Sequence, residues 1–217
     1  MLHTLLYLGV PLVVKSAFPR RGLTDVFVIL ALWLPIELGW ITLWFVPLLG
    51  AFEAVLIYEY IWPIPQPWKL GWRWTLHTGD FFTAFTGLLC LCAVLLPLSL
   101  ALHFTQWSPD GLPPSPRILM IFLFALVEEI LFRGGIQNLL EKHLGNARAA
   151  LILTSVVFGL SHINNTTAFA GPPNGNYVLL AFLAGLGYGL VWLRTRSVVA
   201  STLTHFGVNL IWKTFFL

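Results

Sequence analysis

The sequence predicts an all-α fold: a polytopic membrane helix bundle with about eight transmembrane helices. Three observations predict it. Hydrophobic residues make up 58% of the 217-residue chain and charged residues 10%, against roughly 45–50% and about 25% in soluble domains. The mean hydropathy is +0.82. Apolar runs able to cross a hydrocarbon core about 30 Å thick recur along the chain, and short connections between them hold most of the basic residues.

In chain order the spans are expected at about 1–14, 23–40, 41–62, 80–104, 116–141, 148–164, 177–193 and 197–214. Fourteen helical residues rise only about 21 Å, so the first is the shortest. Its segment, MLHTLLYLGVPLVVK, has no basic n-region and no small-residue cleavage site, and is expected to be retained. Spans two and three share one apolar stretch broken near Pro35, Glu37 and Gly39, where a tight hairpin is expected. The segment from Pro63 to Gly79, with Pro63, Pro65 and Pro67 among Trp neighbours, reads as an interfacial loop. Ser108 to Pro116 reads as a short turn, after which Ser115 is the expected N-cap of span five and Pro116 its first helical residue. The whole chain, 1–217, reads as one membrane domain, with 1–110 as accessory N-terminal helices and 116–214 as the core that carries the motifs.

Charge placement supports the count independently. Of the 12 Lys and Arg residues, all but Arg117, Arg133 and Lys213 lie in the connections after spans one, three, five and seven. If the spans alternate, these connections share one face. The positive-inside rule then puts both termini outside the cytoplasm, in what is expected to be a bacterial inner membrane. The formal charge of +3 is therefore a record of topology, and nucleic acid is not an expected partner. Cys90 and Cys92 are the only cysteines, and two residues apart on a helix they face different ways, which argues against a disulfide or a metal pair. Gly185, Gly187 and Gly189 form a GxGxG string with no strand before it, so close helix packing is expected in place of a nucleotide loop.

The charges that bear on function lie where a lipid-buried helix tolerates them least. In SPRILMIFLFALVEEILFRGGIQNLLEKH, Glu128 stands about 18 Å along the axis from Pro116, near the membrane midplane. Intramembrane ionisable residues are expensive and point to function by default. Glu129 and Arg133 are four apart and can pair along one face, whereas Glu128 is turned about 100° away and is expected to stay available for reaction. On the sixth span Phe158 and His162 share a face, and on the eighth His205 and Asn209 do the same. Each has a structural alternative: a Glu–Arg staple, a packed histidine, an asparagine bridging two helices. For all to be structural, each polar group would have to offset its own desolvation in one small protein.

In this order on three separate spans, Glu128-Glu129-x-x-x-Arg133, Phe158-x-x-x-His162 and His205-x-x-x-Asn209 resemble the CAAX protease and bacteriocin-processing family of intramembrane proteases, also called the Abi family. The likeness covers about 116–214. It implies an eight-helix fold and hydrolysis of a peptide bond in a membrane-associated peptide or C-terminal protein anchor, with the lipid bilayer as surroundings. It makes Glu128 the general base, His162 its partner in placing a water, and His205 with Asn209 the support of the oxyanion; Glu129, Arg133 and Phe158 are supporting residues. Amide hydrolysis needs such a set, a base for water, a donor for the oxyanion and a proton for the leaving amine.

Members of the family are also described as metalloproteases. Glu128, His162 and His205 are a chemically workable zinc set, but no HExxH string is present, and a metal-free mechanism without a cofactor is favoured. His162 is 14 residues from Arg148, so the cavity is expected to open toward the outer half of the bilayer. The loop NNTTAFAGPPNGN after His162 reads as an ordinary turn in preference to the alternative, a mobile lid or substrate gate. Two other classes compete: a small proton-coupled transporter using the buried Glu, His and Arg as a relay, and a non-catalytic scaffold or immunity protein on the same fold. A transporter built on repeats should show paired broken spans in its two halves, and this chain does not.

Overall fold

The computed structural model describes residues 73–109 and 111–216, and the expected first three spans lie outside them. Among the described residues the architecture is all-helical, with isolated bridges only and no strand. Helix α1 is Thr78–Ala101. α2, Ser115–Glu129, runs directly into a π-helical segment, Ile130–Gln137, and then into α3, Asn138–Leu144. α4 is Ala147–Ser161, α5 Gly175–Thr195 and α6 Val198–Phe215. Two of these, α1 and α5, are long and apolar enough to cross a membrane.

The boundaries follow local chemistry. Asp80 accepts from the backbone N–H of His77 at 2.9 Å and starts α1. Asn146 accepts from the N–H groups of Arg148 and Ala149 to start α4, Asn174 from Tyr177 to start α5, and Ser197 from Ala200 to start α6. Gly145 ends α3 at φ +60°, a left-handed turn that glycine adopts without a Cβ clash. Ser115, expected as an N-cap, is instead the first helical residue; Pro114 holds the cap position with extended backbone, and its carbonyl accepts from Arg117 and Ile118.

Three span ends also differ from expectation. α1 stops at Ala101 because the chain turns at His103, whose φ is +51°. Span five does not end at 141 and is not an unbroken α-helix: its π segment is wholly buried and the helix continues to Leu144. Hydrophobic periodicity carries no sign of a one-residue widening, and π segments concentrate at functional sites. α4 ends at Ser161, so His162 caps the helix and Asn164 lies in the turn beyond it.

α5 is the hub, touching α1, α4, α6 and the π segment. Small residues bring it close, as the GxGxG string predicted. A Cβ on Gly187 would lie 2.5 Å from Leu91 of α1, and one on Gly185 3.1 Å from Phe158 of α4. Gly159 of α4 faces the backbone itself, since a Cβ there would sit 2.8 Å from the Val178 carbonyl oxygen. α1 keeps much of its apolar surface outward, with Phe81, Phe82, Phe85, Leu89 and Val94 exposed. Apolar surface of this extent suits a lipid environment.

The two ends of the bundle differ in chemistry. At one, Arg73 pairs with Asp80 at 3.1 Å and its guanidinium donates to the Thr195 carbonyl, while its backbone bonds to Arg196 and Val198. Arg196 there forms a two-point ion pair with Glu141 at 2.7 Å. The connections at 73, 141–148 and 194–197, predicted to share a face by their basic residues, meet at this end. The other end holds Trp107 stacked on Phe215 and the loop from His162 to Asn174.

Candidate active site

A cavity of about 420 Å³ opens beside the 162–174 loop, at the end away from Arg73 and Arg196. Glu128, Phe158, His162, His205 and Asn209 all line it, so the three motif-bearing helices converge on one space. Leu95, Phe104, Leu180 and Val208 supply apolar wall. Asn165 to Ala168 form part of the rim, and Lys213 stands at the far end of α6.

Glu129 and Arg133 are fully buried and are not among the residues that line the cavity. Their ion pair is 3.1 Å, as the four-residue spacing predicted. Arg133 donates through Nη2 to the Gly185 carbonyl at 2.9 Å, and its guanidinium lies 4.7 Å from the Phe158 ring centre. One turn on, Gln137 donates to the Gly189 carbonyl at 3.3 Å. Gly189 thus does more than let helices touch: a Cβ there would lie 2.7 Å from Gln137 Oε1, so the bare position leaves room for that amide beside the α5 backbone.

Sequence reasoning grouped Glu129 with Arg133 alone. The structure adds His205, whose Nδ1 lies 2.9 Å from Glu129 Oε1. With a carboxylate accepting there, Nδ1 carries the proton and Nε2 is turned toward the cavity. Nε2 is 3.7 Å from Glu128 Oε2, too long for a direct hydrogen bond. The two adjacent glutamates therefore address opposite nitrogens of one imidazole. Glu129 is entirely buried behind it, whereas the Glu128 side chain is about a quarter exposed.

His162 is oriented by a different device. Its Nδ1 is 2.8 Å from the Phe158 carbonyl oxygen, which can only accept, so Nδ1–H donates and Nε2 keeps a lone pair. The Ser161 hydroxyl is 3.0 Å from the same nitrogen. Phe158 sits under both histidines, 4.8 Å from the His162 ring and 5.9 Å from that of His205.

Two tyrosines escaped the sequence reading. Tyr188 stacks on His205 with centroids 4.3 Å apart and planes 15° apart, and Tyr177 stacks on His162 at 5.2 Å and 28°. Both line the cavity. Their only signal in the sequence is a spacing of about three helical turns in an otherwise apolar span.

The loop after His162 is tied at both ends. Asn174 caps α5 and also donates through Nδ2 to the Asn165 carbonyl at 3.2 Å, and its N–H reaches the Ile163 carbonyl at 2.7 Å. Glu128, His162 and His205, the residues a zinc ion would need, share the cavity. Among the described residues no three His, Cys, Asp or Glu side chains are gathered closely enough to hold a metal ion.

Residues 111–211 match the family described as Type II CAAX prenyl endopeptidase Rce1-like. Neither a curated protein nor a solved structure matches the chain.

Proposed function

With an Rce1-like domain of a membrane-integral protease family at residues 111–211, we propose that this chain is an intramembrane endopeptidase that hydrolyses a peptide bond of a membrane-associated peptide or C-terminal protein anchor with water activated by Glu128. The observation that carries the reading is the single cavity shared by Glu128, His162, His205 and Asn209, which come from three helices within the matched stretch.

Glu128 takes a proton from a water held with the help of His162 Nε2, and the water oxygen attacks the carbonyl carbon. The Asn209 amide donates to the resulting oxyanion, and His205, anchored at Nδ1 by Glu129, does so from Nε2 when that nitrogen carries a proton. Glu128 then passes its proton to the departing amine. Apolar wall around these groups keeps bulk water away from the oxyanion, where donors are worth more than in water. No metal enters this scheme. The eight-span arrangement, the cytoplasmic placement of the basic end and a bacterial cell membrane complete the proposal, and they place the cavity mouth on the extracytoplasmic side.

The test is cleavage of synthetic tail peptides by protein reconstituted in lipid nanodiscs, with products identified by mass spectrometry, with and without a chelator. Cleavage that survives chelation and is lost in His162→Ala supports the scheme. Loss of parental cleavage on chelation, restored by zinc, contradicts the metal-free mechanism. No cleavage of any peptide by the parent, with proton flux when the protein is placed in sealed liposomes, favours the transporter reading.

A further inference from the structure

The three motif-bearing helices do not by themselves determine how the site histidines are held. A histidine side chain has two torsions, and a hydrogen bond at Nδ1 sets the mean ring plane while leaving it to librate, so Nε2 still sweeps a range of directions. Among the described residues the hydrogen bonds of both rings are made at Nδ1, by His162 with the Phe158 carbonyl and the Ser161 hydroxyl and by His205 with Glu129. What lies against each ring face limits that libration and so narrows the direction of Nε2.

Phe158 of α4 meets both rings at steep angles, and the near-parallel contacts come from α5, which contributes no residue to the three motifs. Tyr188 lies nearly parallel to His205, and Tyr177 lies within 28° of parallel to His162. Eleven residues separate the tyrosines, about three turns, so they project from one face of a straight helix. Each tyrosine is itself braced. The Arg133 guanidinium lies 5.4 Å from the Tyr188 ring centre, and Phe104 meets Tyr177 edge-on at 5.2 Å. Tyr188 is 1% exposed.

We propose that Tyr177 and Tyr188 are positioning residues: two stacking plates on α5 that fix the planes of His162 and His205, and with them the direction of each Nε2. The assignment rests on the reading of this cavity as a hydrolytic site. α5 thereby acts as the frame of the site, with its Gly185 and Gly189 carbonyls holding Arg133 and Gln137 and the tyrosines setting the histidines. Stacking is a property of the aromatic ring, so phenylalanine preserves it and leucine does not.

The test compares Tyr177→Phe, Tyr177→Leu, Tyr188→Phe and Tyr188→Leu by steady-state cleavage and by ring-nitrogen spectra of protein labelled with nitrogen-15 histidine. A misplacement of about 1 Å at a reacting group can cost about 100-fold, so the leucine variants should lose about 10- to 100-fold in kcat, with KM changed far less. The phenylalanine variants should stay close to the parent. In the spectra, Tyr177→Leu should average the nitrogen shifts of His162 alone, and Tyr188→Leu those of His205 alone. Leucine variants with parental kcat and parental shifts overturn the proposal, as do phenylalanine variants that fall as far as leucine, which would assign the effect to the hydroxyls. Tyr177 is only half-buried, so Tyr177→Leu serves if Tyr188→Leu does not fold. The spectra need no substrate: if the parent cleaves nothing, the hydrolytic reading fails while the ring-holding claim is still decided.

Discussion

Replacing Arg133 with methionine tests the buried network behind the cavity. The guanidinium is wholly enclosed and has three sets of partners: Glu129 at 3.1 Å, the Gly185 carbonyl at 2.9 Å and the Phe158 ring at 4.7 Å. Methionine fills much of the volume but leaves the Glu129 carboxylate to be held by His205. Removing one partner of a buried pair costs about 3–5 kcal/mol, mostly because the other charge is stranded. The pair is also imperfectly satisfied: Glu129 Oε2 and Arg133 Nε make no hydrogen bond. It therefore does not fully offset its own desolvation, and neutralising both ends should restore most of the loss. Arg133→Met is predicted to destabilise by about 3 kcal/mol or more, and Glu129→Gln combined with Arg133→Met by clearly less, since the glutamine amide oxygen in that double variant still offers His205 an acceptor. Reversible unfolding in mixed micelles, followed by the fluorescence of the chain's tryptophans, reads both numbers. A loss below about 1 kcal/mol for the single variant, or a double variant as poor as the sum of the singles, would refute this account of the network.

Gly159→Ala should destabilise by about 1–3 kcal/mol and exceed Gly187→Ala in the same unfolding assay, because the first methyl meets the Val178 carbonyl and the second meets a leucine side chain that can move. Asn174→Ala should cost about 1 kcal/mol through the lost α5 cap and speed amide exchange in residues 163–170, read by hydrogen-exchange mass spectrometry. Cysteines placed at Thr166 and at Arg148 should be labelled from opposite sides of sealed vesicles; labelling from the same side would break the topology inferred from the basic connections.

Much of the site was legible because its residues are chemically out of place. Glu128, Glu129 and Arg133 in an apolar run, and two histidines at four-residue spacing from Phe158 and Asn209, stand out against any membrane span. Helical spacing alone also predicted the Glu129–Arg133 pair. The hydrogen bond from His205 to Glu129 was not legible, since it joins residues 76 apart and depends on how α6 packs on α2. The tyrosines were hidden for the opposite reason: an aromatic residue in a hydrophobic span is unremarkable until the ring it faces is known. The π segment was invisible because widening a helix changes the facing of residues without changing their type. Ser115 was misplaced by one position because the Pro114 backbone did the capping work assigned to a side chain.

The division of labour between the adjacent glutamates is the central claim, and one measurement addresses it most directly: the kcat/KM for peptide cleavage by Glu128→Gln, an exchange of one carboxylate oxygen for an NH2 group, in protein whose unfolding midpoint matches the parent's. General-base catalysis contributes about 10²–10⁴-fold, so the account predicts a loss of at least about 100-fold with stability unchanged. Cleavage at the parental rate by Glu128→Gln would contradict it.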